Sequence, residues 1–325
     1  MIIKDNIWGE FKINEPIIKE LINSKSMQRL KGISQYGMPY KFYPLNGFSR
    51  YEHSIGVGLL LRKLSASLEE QAAGFLHDVS HTAFSHVIDW VIVNKNKEDY
   101  QDKIHKKIIF DSDIPKILEK YGFEKERIVD YSNYSLLERP APDLCADRID
   151  YSIREFNCWA APDAVRICAD SLRKNNRKIV FSSKETAKIF ALNYLKCQKE
   201  HWGGAEWTLR YALFSDMLKN NLDRKIIEIE DFYYDDEYVL NKIGARKDEK
   251  TEKILEMLSN KLKFETVINN EDYYLRKKFR YVDPEYLNND RIFRLSETSN
   301  EFLEALEKNR RTNEKGIKIK LISKT

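Results

Sequence analysis

Five of the six histidines in this 325-residue chain fall in its first third. Three of them lie in one stretch, His77-Asp78-Val79-Ser80-His81-Thr82-Ala83-Phe84-Ser85-His86, with Asp89 three residues further on. The interleaved apolar residues read as buried, and a buried imidazole or carboxylate needs a partner. A metal ion satisfies several such groups at once, because neutral imidazole and carboxylate are its natural ligands. The adjacent pair His77-Asp78 is the sharpest feature: the two side chains reach one ion where a helix ends and a Val-Ser-His turn begins. A second source is His53, at the start of Arg50-Tyr51-Glu52-His53-Ser54-Ile55-Gly56-Val57-Gly58. A third is the set Asp143, Asp147 and Asp150, at i, i+4 and i+7, one face of a helix. Like charges on one face repel unless a cation or an arginine, here Arg148 or Arg154, neutralises them. The competing readings are an amphipathic helix with satisfied core histidines and a solvated acidic face. A mixed N/O set of this kind suits one divalent ion, Mn, Fe, Co, Ni or Mg, better than a structural zinc.

The elements that must position these residues are mostly helical. Apolar spacing predicts helices over 16–33, from Arg50 through Leu68, over 69–77, over 82–94, around His105, and as two short pieces in 114–131 joined at Tyr121-Gly122. Residues 36–50 and 95–102 read as loops. Gly56 and Gly58 inside a helix point to a close approach by a ligand or another backbone. Ser182 to Glu185 has the spacing of a capping box and opens a long helix that His201-Trp202-Gly203-Gly204 breaks. A further helix covers about 206–222. Phe11-Lys12-Ile13 belongs to a possible N-terminal hairpin. Residues 178–181, 278–282, 291–295 and 317–322 alternate like strands, and Thr298 to Glu301 opens another helix. The chain is therefore expected to be mainly α, with one domain over 1–222 (metal-binding core about 16–160) and a small α+β lobe over 223–325.

Composition narrows the partners. A net charge of +4 spread along the chain gives no case for nucleic acid. No apolar run is long enough to span a bilayer, and the N-terminus lacks a signal peptide's pattern. The four cysteines form no Cys-x-x-Cys pair, so the expected compartment is a reducing cytoplasm.

The motifs together resemble the HD-domain phosphohydrolase superfamily, within it the branch of the SAM-and-HD-domain dNTP triphosphohydrolase and the bacterial dGTPases. Its His…His-Asp…Asp signature is matched by His53, His77, Asp78 and Asp147, the last chosen because the family reads Asp-x-x-Asp-Tyr there. Arg50 to Val57 and Leu76 to His86 match its two longer motifs. The resemblance implies an HD helical bundle and further roles. His81, supported by Asp89 and His105, matches the catalytic histidine and its relay. Arg50, His86 and Arg148 match phosphate-holding groups. Gln35, Tyr151 and Glu155 match positions facing the sugar. The implied activity is hydrolysis of nucleoside triphosphates to nucleoside and tripolyphosphate by a homo-oligomer. Where that enzyme has Asp and Leu, this chain has Glu155 and Tyr36, and Gln28, Arg29 and Lys31 only partly match its effector-nucleotide site. Lys199 and Trp202 are candidates to reach phosphate and base. The alternatives are an HD nucleotidase or phosphodiesterase for monophosphates or cyclic and linear nucleotides, and a sensing module without catalysis.

Overall fold

The computed structural model describes residues 1–45, 47–92, 99–259 and 262–322. A hairpin of β1 (Ile2–Asp5) and β2 (Gly9–Lys12) opens the chain. Then follow α1 (Pro16–Asn23), α2 (Lys25–Arg29), α3 (Arg50–Lys63), α4 (Leu68–Leu76), α5 (Val87–Ile92), α6 (Tyr100–Phe110), α7 (Ile114–Lys120), α8 (Lys125–Ile128), α9 (Ala146–Glu155) and α10 (Ala164–Ser171). After β3 (Leu172–Asn175) and β4 (Lys178–Phe181) come α11 (Lys184–Cys197), α12 (Ala205–Asp223), α13 (Asp236–Gly244) and α14 (Glu249–Ser259). The chain closes with β5 (Phe264–Thr266), β6 (Tyr273–Leu275), β7 (Glu285–Asn288), β8 (Arg291–Arg294), α15 (Leu295–Thr298), α16 (Asn300–Glu314) and β9 (Ile317–Leu321). The architecture is mainly α.

Sheet order β3-β4-β7-β8 joins strands of residues 172–181 to strands of 285–294, and β5-β9-β6 forms a separate antiparallel sheet. The buried apolar residues form two clusters. One gathers α1, α3, α4, α7 and α9 to α11, and the other gathers α5 and α12 to α14. Tyr151 packs against both.

Several sequence expectations need correction. Residues 16–33 are not one helix, because Ser24 interrupts it: its hydroxyl donates to the Leu21 carbonyl and accepts from Met27 N–H, ending α1 and capping α2. The helix placed at 82–94 begins only at Val87. Phe84 and Ser85 have φ of +63° and +46°, left-handed values that a helix does not allow. Its last two residues and residues 95–98 of the loop placed at 95–102 lie outside the described residues, and residues 100–102 of that loop already belong to α6. Asp143 precedes α9 and pairs with Arg139 and Arg294, so it shares no helix face with Asp147 and Asp150. Gly56 and Gly58 answer to side chains: a Cβ at 56 would collide with Asp150 and Arg154, and one at 58 with the Phe75 ring. The helices placed at Ser182 and Thr298 start one residue later, capped by Ser183 and Ser299. Residues 278–282 form no strand.

Candidate active site

Three ends of helices meet at one point. The capping box of Ser49 and Glu52 fixes the start of α3 and so places Arg50 and His53 one turn apart. Helix α4 stops at Leu76, which turns His77-Asp78 inward, and the first turn of α9 supplies Asp147. His53 Nε2 lies 2.9 Å from Asp147 Oδ1 and 3.2 Å from His77 Nε2. His77 Nε2 lies 3.5 Å from both Asp147 Oδ1 and Asp78 Oδ1. Asp78 stands at the edge of this set, its Oδ2 2.8 Å from Arg50 Nη1 and 3.8 Å from His53 Nε2.

The outer nitrogens fix the tautomers. His77 Nδ1 donates to the Gly74 carbonyl at 2.8 Å, so its Nε2 carries the lone pair. His53 Nδ1 lies 2.8 Å from Asp150 Oδ2, and Asp150 also accepts from Trp8 Nε1 (2.6 Å) and Arg154 Nε (2.7 Å). Arg154 reaches on to Asp5 at 2.7 Å. Two imidazole lone pairs and a carboxylate thus face one another in a buried corner, an arrangement that repels itself without a cation. The same repulsion appears as basicity. Burial pushes His77 down, but Asp78 and Asp147 outweigh it and lift it to about 9. Burial likewise opposes protonation of His53, and Asp147 and Asp150 raise it. Burial raises Asp78 and Asp147, but their basic partners hold both below the usual carboxylate range. The residues fit a divalent ion held by His53, His77 and Asp147 with Asp78 beside them, the donor set of a mixed N/O centre.

The remaining predicted residues, Asp89 apart, surround a cavity of about 910 Å³. Arg50, His81, His86, His105, Gln35, Arg148, Tyr151 and Glu155 all line it. Arg50 spans Asp78, Ser85 and the Gln35 carbonyl. The predicted relay is not assembled. His81 Nε2 lies 3.3 Å from Asp78, while Asp89 pairs with His86 Nδ1 at 3.3 Å and accepts from Tyr100 N–H. Burial and the nearby Arg50 charge keep His81 neutral. His105 belongs to a separate ring of hydrogen bonds. Ser80 Oγ lies 2.8 Å from its Nδ1 and Tyr131 Oη is at its Nε2 (2.5 Å). Tyr131 and Gln101 both donate to the His77 carbonyl at 3.0 Å, and Gln101 also donates to Ser80 Oγ. The ring closes in one direction only: Gln101 to Ser80, Ser80 to His105, His105 to Tyr131, Tyr131 to His77. Burial, with His77 nearby, brings His105 down to about 4, which keeps it neutral as this direction requires.

Glu155 does not face open space either. Its carboxylate accepts from Trp159 Nε1 (2.6 Å), Trp202 Nε1 (2.8 Å) and His201 Nδ1 (2.9 Å). His201 Nε2 meets the Tyr43 hydroxyl, and Tyr36, Tyr43, Trp159 and Trp207 ring the imidazole. Trp202 lines the cavity, and Lys199 does not. The partial effector match is absorbed internally: Arg29 donates to the carbonyls of Val79, His81 and Tyr234, Gln28 to that of Ile22, and Lys31 lies over Tyr51. Sequence reasoning missed Glu138, which burial and Asp147 push up to about 7, and it read His201 only as a helix break. The Trp-Gly-Gly after His201 was the available signal.

Comparison with known proteins agrees with this geometry. The HD domain family model matches residues 50–154. YdhJ, an uncharacterized protein of Bacillus subtilis, is 37% identical over 99% of both chains. The metal-dependent phosphohydrolase cns2 of Cordyceps militaris is 33% identical over 62% of this chain and 61% of its own. The deoxynucleoside triphosphate triphosphohydrolase SAMHD1 of Bos taurus is 34% identical over 27% of this chain and 17% of its own. A crystal structure of a phosphohydrolase from Bacteroides thetaiotaomicron shares the fold over 100% of both chains, with a TM-score of 0.69 at 14% identity. The chain belongs to the HD-domain superfamily and is a metal-dependent phosphohydrolase. No helix among the described residues is long and apolar enough to cross a membrane.

Proposed function

We propose that the protein hydrolyses nucleoside triphosphates, deoxynucleotides foremost, at the α-phosphorus, releasing nucleoside and tripolyphosphate. The observation that carries this reading is the convergence of Arg50, His81 and His86, on one cavity large enough for a nucleotide, beside the His53–His77–Asp147 corner, whose His77 and Asp147 line the same cavity. His53, His77, Asp78 and Asp147 would hold one divalent ion, which when bound would supply Lewis acidity toward a phosphoryl oxygen. The chain supplies the rest. Arg50, braced by Asp78 and Ser85, presents a fixed cation to an entering phosphate. The His81–His86 edge-to-face pair, rings 4.9 Å apart, lies next to it. A phosphate anion there favours a protonated His81, which then hands its proton to the leaving alkoxide. Asp89 orients His86, and the Ser80–His105–Tyr131 ring holds the His77 carbonyl, so neither Asp89 nor His105 touches the reacting atoms in this account.

The runner-up is an HD nucleotidase or phosphodiesterase. The favourable observation is Glu138 and Cys145, which share Asp147 as a second group of possible ligands. The test is a product assay: metal-loaded protein with each dNTP, GTP, dGMP and a cyclic dinucleotide, products resolved by chromatography, metal counted per chain. Nucleoside plus tripolyphosphate with one ion per chain supports the proposal. Phosphate from dGMP, or a linearised dinucleotide, with two ions moves the protein to the runner-up.

A further inference from the structure

One wall of the cavity lies far outside the HD match at residues 50–154. Lys277, Lys278, Phe279, Arg280 and Tyr281, five consecutive residues from the last part of the chain, line it together. The segment forms no strand, yet it is fixed. Gln198, 2% exposed, donates Nε2 to the Lys278 carbonyl (3.4 Å) and accepts the Arg280 N–H on Oε1 (3.2 Å). Asn313 Nδ2 donates to the Lys277 carbonyl at 3.0 Å. The alternate side chains are pinned by rings. Lys277 Nζ lies 3.5 Å from the centre of the Tyr211 ring, and Phe279 and Tyr281 stack together with Arg310 at 5.5 and 4.8 Å from their centres. This explains why the stretch alternates like a strand without pairing: the backbone groups go to amide side chains, and the alternation serves ring contacts.

Lys278 and Arg280 alternate with these residues along the wall. Across from them, the Tyr151 and Tyr194 hydroxyls meet at 2.6 Å inside the cavity. Burial raises both phenols, and the charges of Arg148 and Arg280 act against it on both. Arg148, whose guanidinium donates to the Arg139 and Asp143 carbonyls and reaches Glu138, lines the same cavity as Arg280, Lys278 and the two hydroxyls. Cations and phenol donors brought together in a concave wall are chemistry for an anion. Arg50, His81 and His86 already serve the corner where the metal would bind.

We propose that segment 277–281 is a polyphosphate-binding wall, in which Lys278 and Arg280, with Arg148, hold the phosphates beyond the one that reacts. This rests on the function proposed above and sharpens it: the substrate carries a chain of phosphates, and the C-terminal part of the chain selects it. A monoester leaves the wall without a ligand.

The test is binding of inorganic tripolyphosphate and of orthophosphate, by calorimetry in excess Mg²⁺, to the full-length wild-type chain and to Lys278→Ser/Arg280→Ser. Both side chains reach solvent, and Gln198 grips only the backbone, so the variant keeps the segment in place. The wild type binds tripolyphosphate more tightly than orthophosphate. The variant loses about tenfold for tripolyphosphate, the scale of one charge-assisted hydrogen bond, and the preference collapses. KM for a triphosphate substrate rises by the same factor, with kcat little changed. Tripolyphosphate binding equal in the two proteins overturns the wall, even if dNTPs are hydrolysed to tripolyphosphate. Binding lost in the variant, while only monoesters are turned over, upholds the wall as an anion site and overturns the proposed reaction.

Discussion

Helix α9 carries two buried carboxylates, Asp150 (0% exposed) and Glu155 (2%), and each is built into the same device: a histidine Nδ1 and a tryptophan indole on one carboxylate. At Asp150 the histidine is His53, whose other nitrogen faces the metal corner, and Arg154 neutralises the carboxylate. At Glu155 the histidine is His201, whose other nitrogen meets the Tyr43 hydroxyl, and a second indole, Trp202, stands where Asp150 has its arginine. The difference teaches what each half of the cavity is for. A carboxylate on the outer nitrogen of His53 orients a candidate metal ligand. A carboxylate held by two indoles and an imidazole builds a rigid aromatic wall.

The largest effect separates ligand from support. His77→Ala or Asp147→Ala removes a donor from the corner and lowers turnover by about a thousandfold or more, several kcal/mol of lost stabilisation. Metal analysis of the purified variants shows the ion missing; full metal content with lost turnover would move these residues out of the ligand set.

The next experiment sets the two carboxylates against each other. Asp150→Asn lowers metal affinity by about 10- to 100-fold, the range for a group that orients a ligand. Glu155→Gln shifts metal affinity by less than about threefold, below that range. Asp150→Asn also costs about 3–5 kcal/mol, since it weakens a buried ion pair. Glu155→Gln costs about 1–3 kcal/mol for one indole or imidazole left facing an amide. Metal titration and denaturant melts read both quantities, and equal metal affinities would break the comparison.

Tyr131→Phe tests the ring behind His77. It removes one of the two donors to the His77 carbonyl and cuts kcat by about three- to tenfold through misplacement of the corner. Metal stoichiometry stays the same. A loss as large as that of His77→Ala would instead place Tyr131 at the reacting atoms.

The smallest effect concerns a third buried carboxylate, one with neither histidine nor indole. Among the described residues Asp236 accepts from two backbone N–H groups, Phe84 at 2.7 Å and Ser34 at 2.9 Å, and burial pushes it up to about 7 from 3.8. The fold therefore prefers its protonated form. Its contribution is present in full below about pH 4 and is lost as pH rises toward 7, a change of order a few kcal/mol. Asp236→Asn removes this dependence, so wild type should lose stability relative to the variant across that window. Parallel pH profiles would show that the backbone donors already hold the carboxylate charged.

The metal corner was legible because its residue types are costly to bury and lie in long motifs: His53 after Arg50, His77 beside Asp78, Asp147 before Arg148. The helical part was legible from apolar spacing for the same reason, down to the break at Tyr121-Gly122. What escaped depends on contacts between distant residues. The left-handed turn at Phe84-Ser85 is held by Arg50 and Asp236, and no local pattern shows a backbone held from residues 50 and 236. Glu155 looked like a ligand-facing acid because its three donors lie at 159, 201 and 202. Asp89 and His105 looked like partners of His81, yet each found a nearer one in the fold. Short strands such as β5 and β6 carry too few residues for alternation to register.

The central claim, water attack on the α-phosphorus, is tested most directly by turnover of a dNTP in ¹⁸O-labelled water with ³¹P detection of the products. Attack at the α-phosphorus puts the label into a terminal phosphate of tripolyphosphate and leaves the nucleoside unlabelled. Label in orthophosphate or in pyrophosphate would contradict the account, because the bond broken would then lie further along the chain.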